Sequence, residues 1–145
     1  MITLEQYWMG RDVEYAADLT QEIRANAQVT VDRVNTLLER ANAGSTHTVR
    51  SGWRPWTLNA ATPGASTTSK HLSGSAVDIA DNDRYLADWC AANQVDLVVA
   101  ELWCEDFRYT PTWVHFQIVP PKSGKRIYIP SLSKPLDPDY PVTWA

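Results

Sequence analysis

The amino-acid sequence predicts a single α+β domain, with helices packed on one face of an antiparallel sheet. Three observations point there. One long N-terminal stretch has helical apolar spacing, the second half carries several short alternating segments, and the elements run helix, strand, long loop, strand, helix, then strands. A chain of 145 residues is one domain's length and would bury roughly 70% of its unfolded surface. With 44% hydrophobic and 21% charged residues, it has the material for a packed core.

From Asp18 to about Ala41 the apolar residues Leu19, Ile23, Ala27, Val31, Val34 and Leu38 recur at spacings of three and four, the signature of an amphipathic helix. Asp18 with Gln21 resembles a capping box, and Gly44 lies just past the far end. Thr46 to Gly52, short and partly β-branched, reads as a strand. The Pro-, Ser- and Thr-rich stretch from Trp53 to Lys70 reads as a loop, of a length uncommon unless it serves a site. Ser75 to Ala80 reads as a strand. Asp83 to Asn93 reads as a second helix with Leu86, Trp89 and Cys90 inward and Asp81 or Asn82 as its cap. The apolar run Leu97 to Trp103, with Glu101 embedded, and the alternating Trp113 to Val119 read as neighbouring antiparallel strands. Arg126 to Ile129 is a last strand, and the tail over 130–145, with Pro135, Pro138 and Pro141, is expected to run extended.

Thirteen basic against 17 acidic residues give a net charge of −4, with only Lys122, Lys125 and Arg126 close together. Phosphate backbones require a basic face, so nucleic acid is not expected as a partner. An acidic body also gains no long-range pull toward anionic polymers, so such a substrate would have to be caught by a local site. No stretch approaches the roughly 20 apolar residues of a membrane span, and the first residues lack the pattern of a secretory signal. Cys90 and Cys104 are the only cysteines; far apart and without a local Cys-x-x-Cys, they read as buried free thiols, with a disulfide the alternative.

The segment Ser69-Lys70-His71-Leu72-Ser73-Gly74-Ser75-Ala76-Val77-Asp78 places a His and an Asp seven positions apart across a glycine that lets the chain turn. Imidazole and carboxylate are both zinc ligands, and His115, on the strand face shared with Trp113 and Gln117, offers a third. Three protein ligands with a fourth position open is the pattern of catalytic zinc. On residue types alone a structural hydrogen bond between His71 and Asp78 is the alternative.

The pattern Ser-x-His-x-x-Gly-x-Ala-x-Asp, carried by Ser69, His71, Gly74, Ala76 and Asp78, resembles that of the D-alanyl-D-alanine carboxypeptidase family of zinc peptidases. That family includes carboxypeptidases, dipeptidases and phage endolysins that cut L-alanyl-D-glutamate bonds. Upstream, Ser51-Gly52-Trp53-Arg54-Pro55 followed by Asn59 is similar to its Ser-Gly-aromatic-Arg stretch. Downstream, Trp113-Val114-His115 is similar to its last ligand motif, and Asp96 with Glu101 to a segment of the phage and prophage branch. The likeness runs from about Val49 to Gln117, within a motif-bearing region of about 46–119.

The resemblance implies a fold of the hedgehog and D-alanyl-D-alanine-peptidase type and one zinc per chain on His71, Asp78 and His115. The implied substrate is the stem peptide of peptidoglycan, cut by a carboxypeptidase or an endopeptidase. Arg54 would hold the substrate, with Asn59, Ser69 and Trp113 as further substrate contacts. A phage or prophage origin would have the protein made in the cytoplasm and delivered to the wall by a holin or a virion. One position departs from the family. Thr112 stands where many members carry a Glu or Asp three residues before the final His, the general base. Glu101 is the expected substitute, taking a proton from water and returning it to the leaving amine; its alternative role is to orient His115, and Glu105 and Asp106 are weaker candidates. His47 is expected to be a surface residue. The rival reading is a binding module, such as a phage tail or wall-attachment protein, that keeps the metal without turnover.

Overall fold

The computed structural model describes residues 1–130, 139, 143 and 144, so the expected course of the tail falls almost wholly outside the described residues. Helix α1 (Leu4–Trp8), α2 (Arg11–Glu14) and a 3₁₀ turn (Ala16–Asp18) precede the long α3 (Gln21–Arg40). Strand β1 (Val49–Ser51), helix α4 (Trp56–Ala61), strand β2 (Ala76–Ala80) and helices α5 (Tyr85–Ala92) and α6 (Gln94–Val99) follow. Strand β3 (Trp103–Glu105), a 3₁₀ turn (Phe107–Tyr109), β4 (Trp113–Gln117) and β5 (Ile127–Tyr128) complete the chain. The architecture is α+β, as the sequence predicts.

The five strands form one sheet in the order β1-β2-β4-β3-β5. Three pairings are antiparallel and the fourth, β3 with β5 at one edge, is parallel, so the sheet is mixed. Alternation divides it into two faces. Val77, Ile79, Val114 and Phe116 are fully buried in one core with Ala27, Val31, Val34, Leu37 and Leu38 of α3. Asp78, His115 and Gln117, one position out of phase, belong to the opposite face.

The long helix starts two residues later than the capping-box reading places it. Asp18 closes the 3₁₀ turn, and Thr20 is the cap, its hydroxyl accepting the Ile23 N–H at 3.1 Å. The expected 53–70 loop contains the short α4. Asp81 caps the second helix, as expected: its two carboxylate oxygens accept the N–H groups of Leu86 and Ala87, each at 2.9 Å.

The expected strand from Leu97 to Trp103 is where the structure departs most. Leu97 is fully buried while Val95, Val98 and Val99 are exposed, so this is one turn of helix with a single inward side chain. A short apolar run fits either state, and packing decides. Two backbone hydrogen bonds close the helix, Glu101 N–H to Val98 O (3.1 Å) and Leu102 N–H to Leu97 O (3.0 Å), with Glu101 left-handed at φ 55°. That is a Schellman ending, in which the left-handed position is usually glycine. The strand begins only at Trp103.

Cys90 and Cys104 are buried and unbridged, matching the free-thiol reading. Burial pushes the Cys90 thiol well up, and its hydrogen bond with Cys104 adds to this, which keeps Cys90 an unreactive thiol.

Candidate metal centre

The turn carrying His71 is held from two sides. From α3, Asn26 Nδ2 donates to Ser73 O (3.0 Å) and the Thr30 hydroxyl to Gly74 O (2.8 Å). From the segment after β1, Arg54 N–H donates to His71 O (3.0 Å) and Trp53 Nε1 to Leu72 O (3.1 Å). Gly74 sits at φ 74°, and a Cβ there would lie 2.8 Å from Ile23 O of α3. The glycine thus permits both the left-handed turn and its close approach to the helix.

Asp78 and His115 face each other across the β2–β4 ladder as direct register partners. The three expected ligands converge. Asp78 Oδ1 lies 2.8 Å from His115 Nδ1 and 3.3 Å from His71 Nε2, and all three side chains are buried. The donor atoms lie within 4.8 Å of one another, close enough to hold one metal ion.

The remaining nitrogen of each imidazole is already committed. His71 Nδ1–H donates to Gly52 O at 2.8 Å. His115 Nε2–H donates to Gln117 Oε1 at 3.0 Å. A carbonyl oxygen can only accept, so each partner dictates the tautomer and leaves the other nitrogen's lone pair toward Asp78. Gln117 is itself oriented, its Oε1 accepting from Tyr128 Oη (2.6 Å) and its Nε2 donating to Val119 O (2.6 Å). Two neutral imidazoles and a carboxylate, each braced from behind, are a fitting donor set for zinc.

The three groups share protons among themselves, so a proton on an imidazole competes for the place a metal would take. Burial alone would raise the Asp78 carboxyl, but the two imidazoles outweigh it and hold the group far below the usual carboxylate range. Burial lowers His71, against the opposing pull of Asp78. For His115 burial also pulls downward, yet Glu105, Asp78 and Gln117 together leave it raised.

These groups stand at the floor of an open cleft of about 1430 Å³. Arg54, Ser69 and Trp113 line it. Arg54 is buried, with Nη2 3.9 Å from Asp78 Oδ2 and Nη1 donating to Asn59 Oδ1 at 3.2 Å. Its Nε is buried with no hydrogen-bond partner. Asn59 plays a different part from the expected substrate contact. It is buried, its Nδ2 donates to Ser66 O (2.9 Å), and it does not line the cleft. It acts by holding Arg54 and the loop.

The structure corrects the choice of acid. Glu101 ends α6 instead of lying in a strand beside His115; its side chain is 70% exposed, with its carboxylate 3.7 Å from Arg33. It does not line the cleft. Glu105 does. It is the last residue of β3, buried, on the same face as Gln117 by alternation, and close enough to His115 to raise it. Asp106, the other weaker candidate, is taken up by Arg108 through contacts of 2.7 and 2.9 Å. Starting the strand at Trp103 would have found Glu105, since Trp103-Cys104-Glu105 then points Cys104 to the core and Glu105 to the ligands.

His47 is no surface residue either. Its side chain is 7% exposed and sits 3.2 Å from Asp81, near Asp83, forming a second His/Asp group. Asp81 spends both oxygens on the α5 cap, so this group serves the helix start. Among the described residues no helix is long and apolar enough to cross a membrane. No family model, curated protein or solved structure matches the chain.

Proposed function

We propose that this protein is a zinc peptidase that hydrolyses stem peptides of peptidoglycan, as the family resemblance of its motifs implies. The observation that carries the reading is the buried His71–Asp78–His115 group, both imidazoles braced so that one lone pair of each meets the same carboxylate. It stands on the floor of a cleft large enough for a peptide. When bound, zinc supplies Lewis-acid polarisation of a carbonyl and activation of water near neutral pH.

The chain's own residues supply the rest. Glu105, buried in the cleft wall, takes a proton from water and returns it to the departing amine. Arg54, fixed by Asn59, lines the cleft and offers its guanidinium charge to a substrate oxygen. Trp113 and Ser69 form walls against which a peptide lies. The proton carrier thus sits ten residues before the final ligand instead of three, and Thr112 receives a hydrogen bond from Arg50. Delivery to the wall by a holin or virion belongs to the same proposal.

The test has two arms. Elemental analysis of purified protein is expected to give close to one zinc per chain, with most of it lost in His71→Ala and His115→Ala. Digestion of purified peptidoglycan, read by mass spectrometry, is expected to release peptides with new termini at one bond type. Zinc at full occupancy with no released peptide would favour a metal-retaining binding module instead. Full zinc retention in both His variants would overturn the ligand assignment.

A further inference from the structure

The chain is acidic overall, but its cleft is not. Six of its basic residues line the cleft, namely Arg11, Arg50, Arg54, Lys70, Arg108 and Lys122, against two acids, Asp78 and Glu105. Asp78 is committed to the imidazoles. Arg54 is partly balanced by Asp78, and Arg108 by Asp106. Among the described residues the other four cations form no ion pair with an acid.

Their placement is ordered. Arg50 stacks over the Trp113 ring, 4.4 Å from its centroid, and donates to the Thr112 hydroxyl, which holds the guanidinium at the rim. Arg11 donates to Trp53 O at 2.8 Å. Lys70 immediately precedes the ligand His71 on the loop wall, and Lys122 follows β4 on another segment of the lining. Like charges gathered round one concavity repel one another, and that cost is offset when a ligand brings opposite charge. Cations held on several chain segments suit a ligand whose anionic groups are spread along its length.

We infer that the cleft selects an anionic peptide, with Arg50, Lys70 and Lys122 as specificity-determining residues that hold carboxylates away from the bond to be cut. This rests on the peptidase reading for the bond but not for the charge preference. A peptide is favoured over a nucleic acid because the cations surround a recessed group of metal-type ligands and do not extend into a basic face. It also answers how an acidic protein takes a carboxylate-bearing substrate, since the attraction is confined to the cleft.

The experiment uses the zinc-loaded full chain and two versions of one synthetic stem-type peptide, with carboxylates free or amidated. KM and kcat are measured for hydrolysis, and binding before turnover by rapid-mixing fluorescence anisotropy with a neutral dye. The free-carboxylate peptide is expected to bind more tightly, with the preference lost in about 0.5 M salt as screening shortens the field. Lys70→Gln and Lys122→Gln should each reduce that preference about two- to fivefold, through KM more than kcat, with a smaller change for the amidated peptide than for the free-carboxylate one. Tight binding of the free-carboxylate peptide without cleavage would retain the charge preference and defeat the peptidase reading. Cleavage of both peptides with equal KM would do the reverse. Tighter binding of a single-stranded oligonucleotide than of either peptide, or no binding of either peptide, would overturn the inference.

Discussion

An imidazole becomes a dependable metal ligand when its second nitrogen has somewhere to put its proton. Here a backbone carbonyl does this for His71 and the Gln117 amide oxygen for His115. Exchanging Gln117 for Leu would leave His115 Nε2 and the buried Tyr128 hydroxyl without their shared acceptor, and a weakening of zinc affinity by about 10–100-fold is expected. Competition with a chromogenic chelator measures it. The acids are separable in the same way. General acid–base groups contribute about 10²–10⁴-fold, so Glu105→Gln should keep zinc and fold but lose activity on that scale. Glu101→Gly removes the other carboxylate altogether, yet activity is expected to stay within about twofold. Because Glu101 occupies the left-handed residue of a helix ending, glycine there relieves backbone strain and should leave stability equal or higher by up to about 1 kcal/mol. Peptide-release assays and urea denaturation of both variants decide the assignment. A large loss of activity in Glu101→Gly with none in Glu105→Gln would return the role to Glu101.

At the scale of elements, the three candidate ligands are placed by two unlike devices, a strand ladder for Asp78 and His115 and a pinned turn for His71. The turn depends on Gly74, where a side chain would both strain a positive φ and press on the α3 backbone at 2.8 Å. Gly124 also has positive φ, 69°, but a Cβ there would meet nothing within 4 Å. Gly74→Ala should therefore cost clearly more stability than Gly124→Ala, for which a backbone cost of about 1–2 kcal/mol is expected, and only Gly74→Ala should lower zinc affinity. Denaturation midpoints and zinc titration of the pair test this; equal costs would mean that the turn moves away from α3 freely. The same elements explain what the sequence made legible. The grouping of His71, Asp78 and His115, and the elements α3, β2 and β4, could be read because periodicity and motif spacing are local properties. Glu105 could not be read while Leu97 to Trp103 looked like a strand. One buried leucine among exposed valines turns that run into a helix, and only packing against α3 and α5 reveals which side chain faces inward. Asn59 was misread for a related reason, since burial behind Arg54 leaves no trace in composition.

For the whole molecule, the candidate metal site joins the long β2–β4 pairing to a loop anchored on α3, so an ion held there would tie the sheet to the helical layer. A ligand that binds only the folded chain adds stability of about 2.7 kcal/mol at a free concentration of one hundred times Kd. Removing zinc with a chelator should accordingly lower Tm by several degrees. The pH dependence has a definite sign. Zinc needs the lone pair of each histidine, and a proton on that nitrogen competes with the ion; with His115 raised and His71 lowered, the competition begins at His115 above the ordinary histidine value of about 6.5 and reaches His71 below it. Zinc stabilisation is thus fully present above that range and lost below it. The expected outcome is that the difference in Tm between zinc-loaded and chelator-treated protein is largest near about pH 7.5 and shrinks toward zero by about pH 4.5. Both forms are scanned across the range, so any acid sensitivity of the metal-free fold is subtracted. A difference that held constant down to about pH 4.5 would mean that the ion is bound without histidine, and the assignment to His71 and His115 would fail.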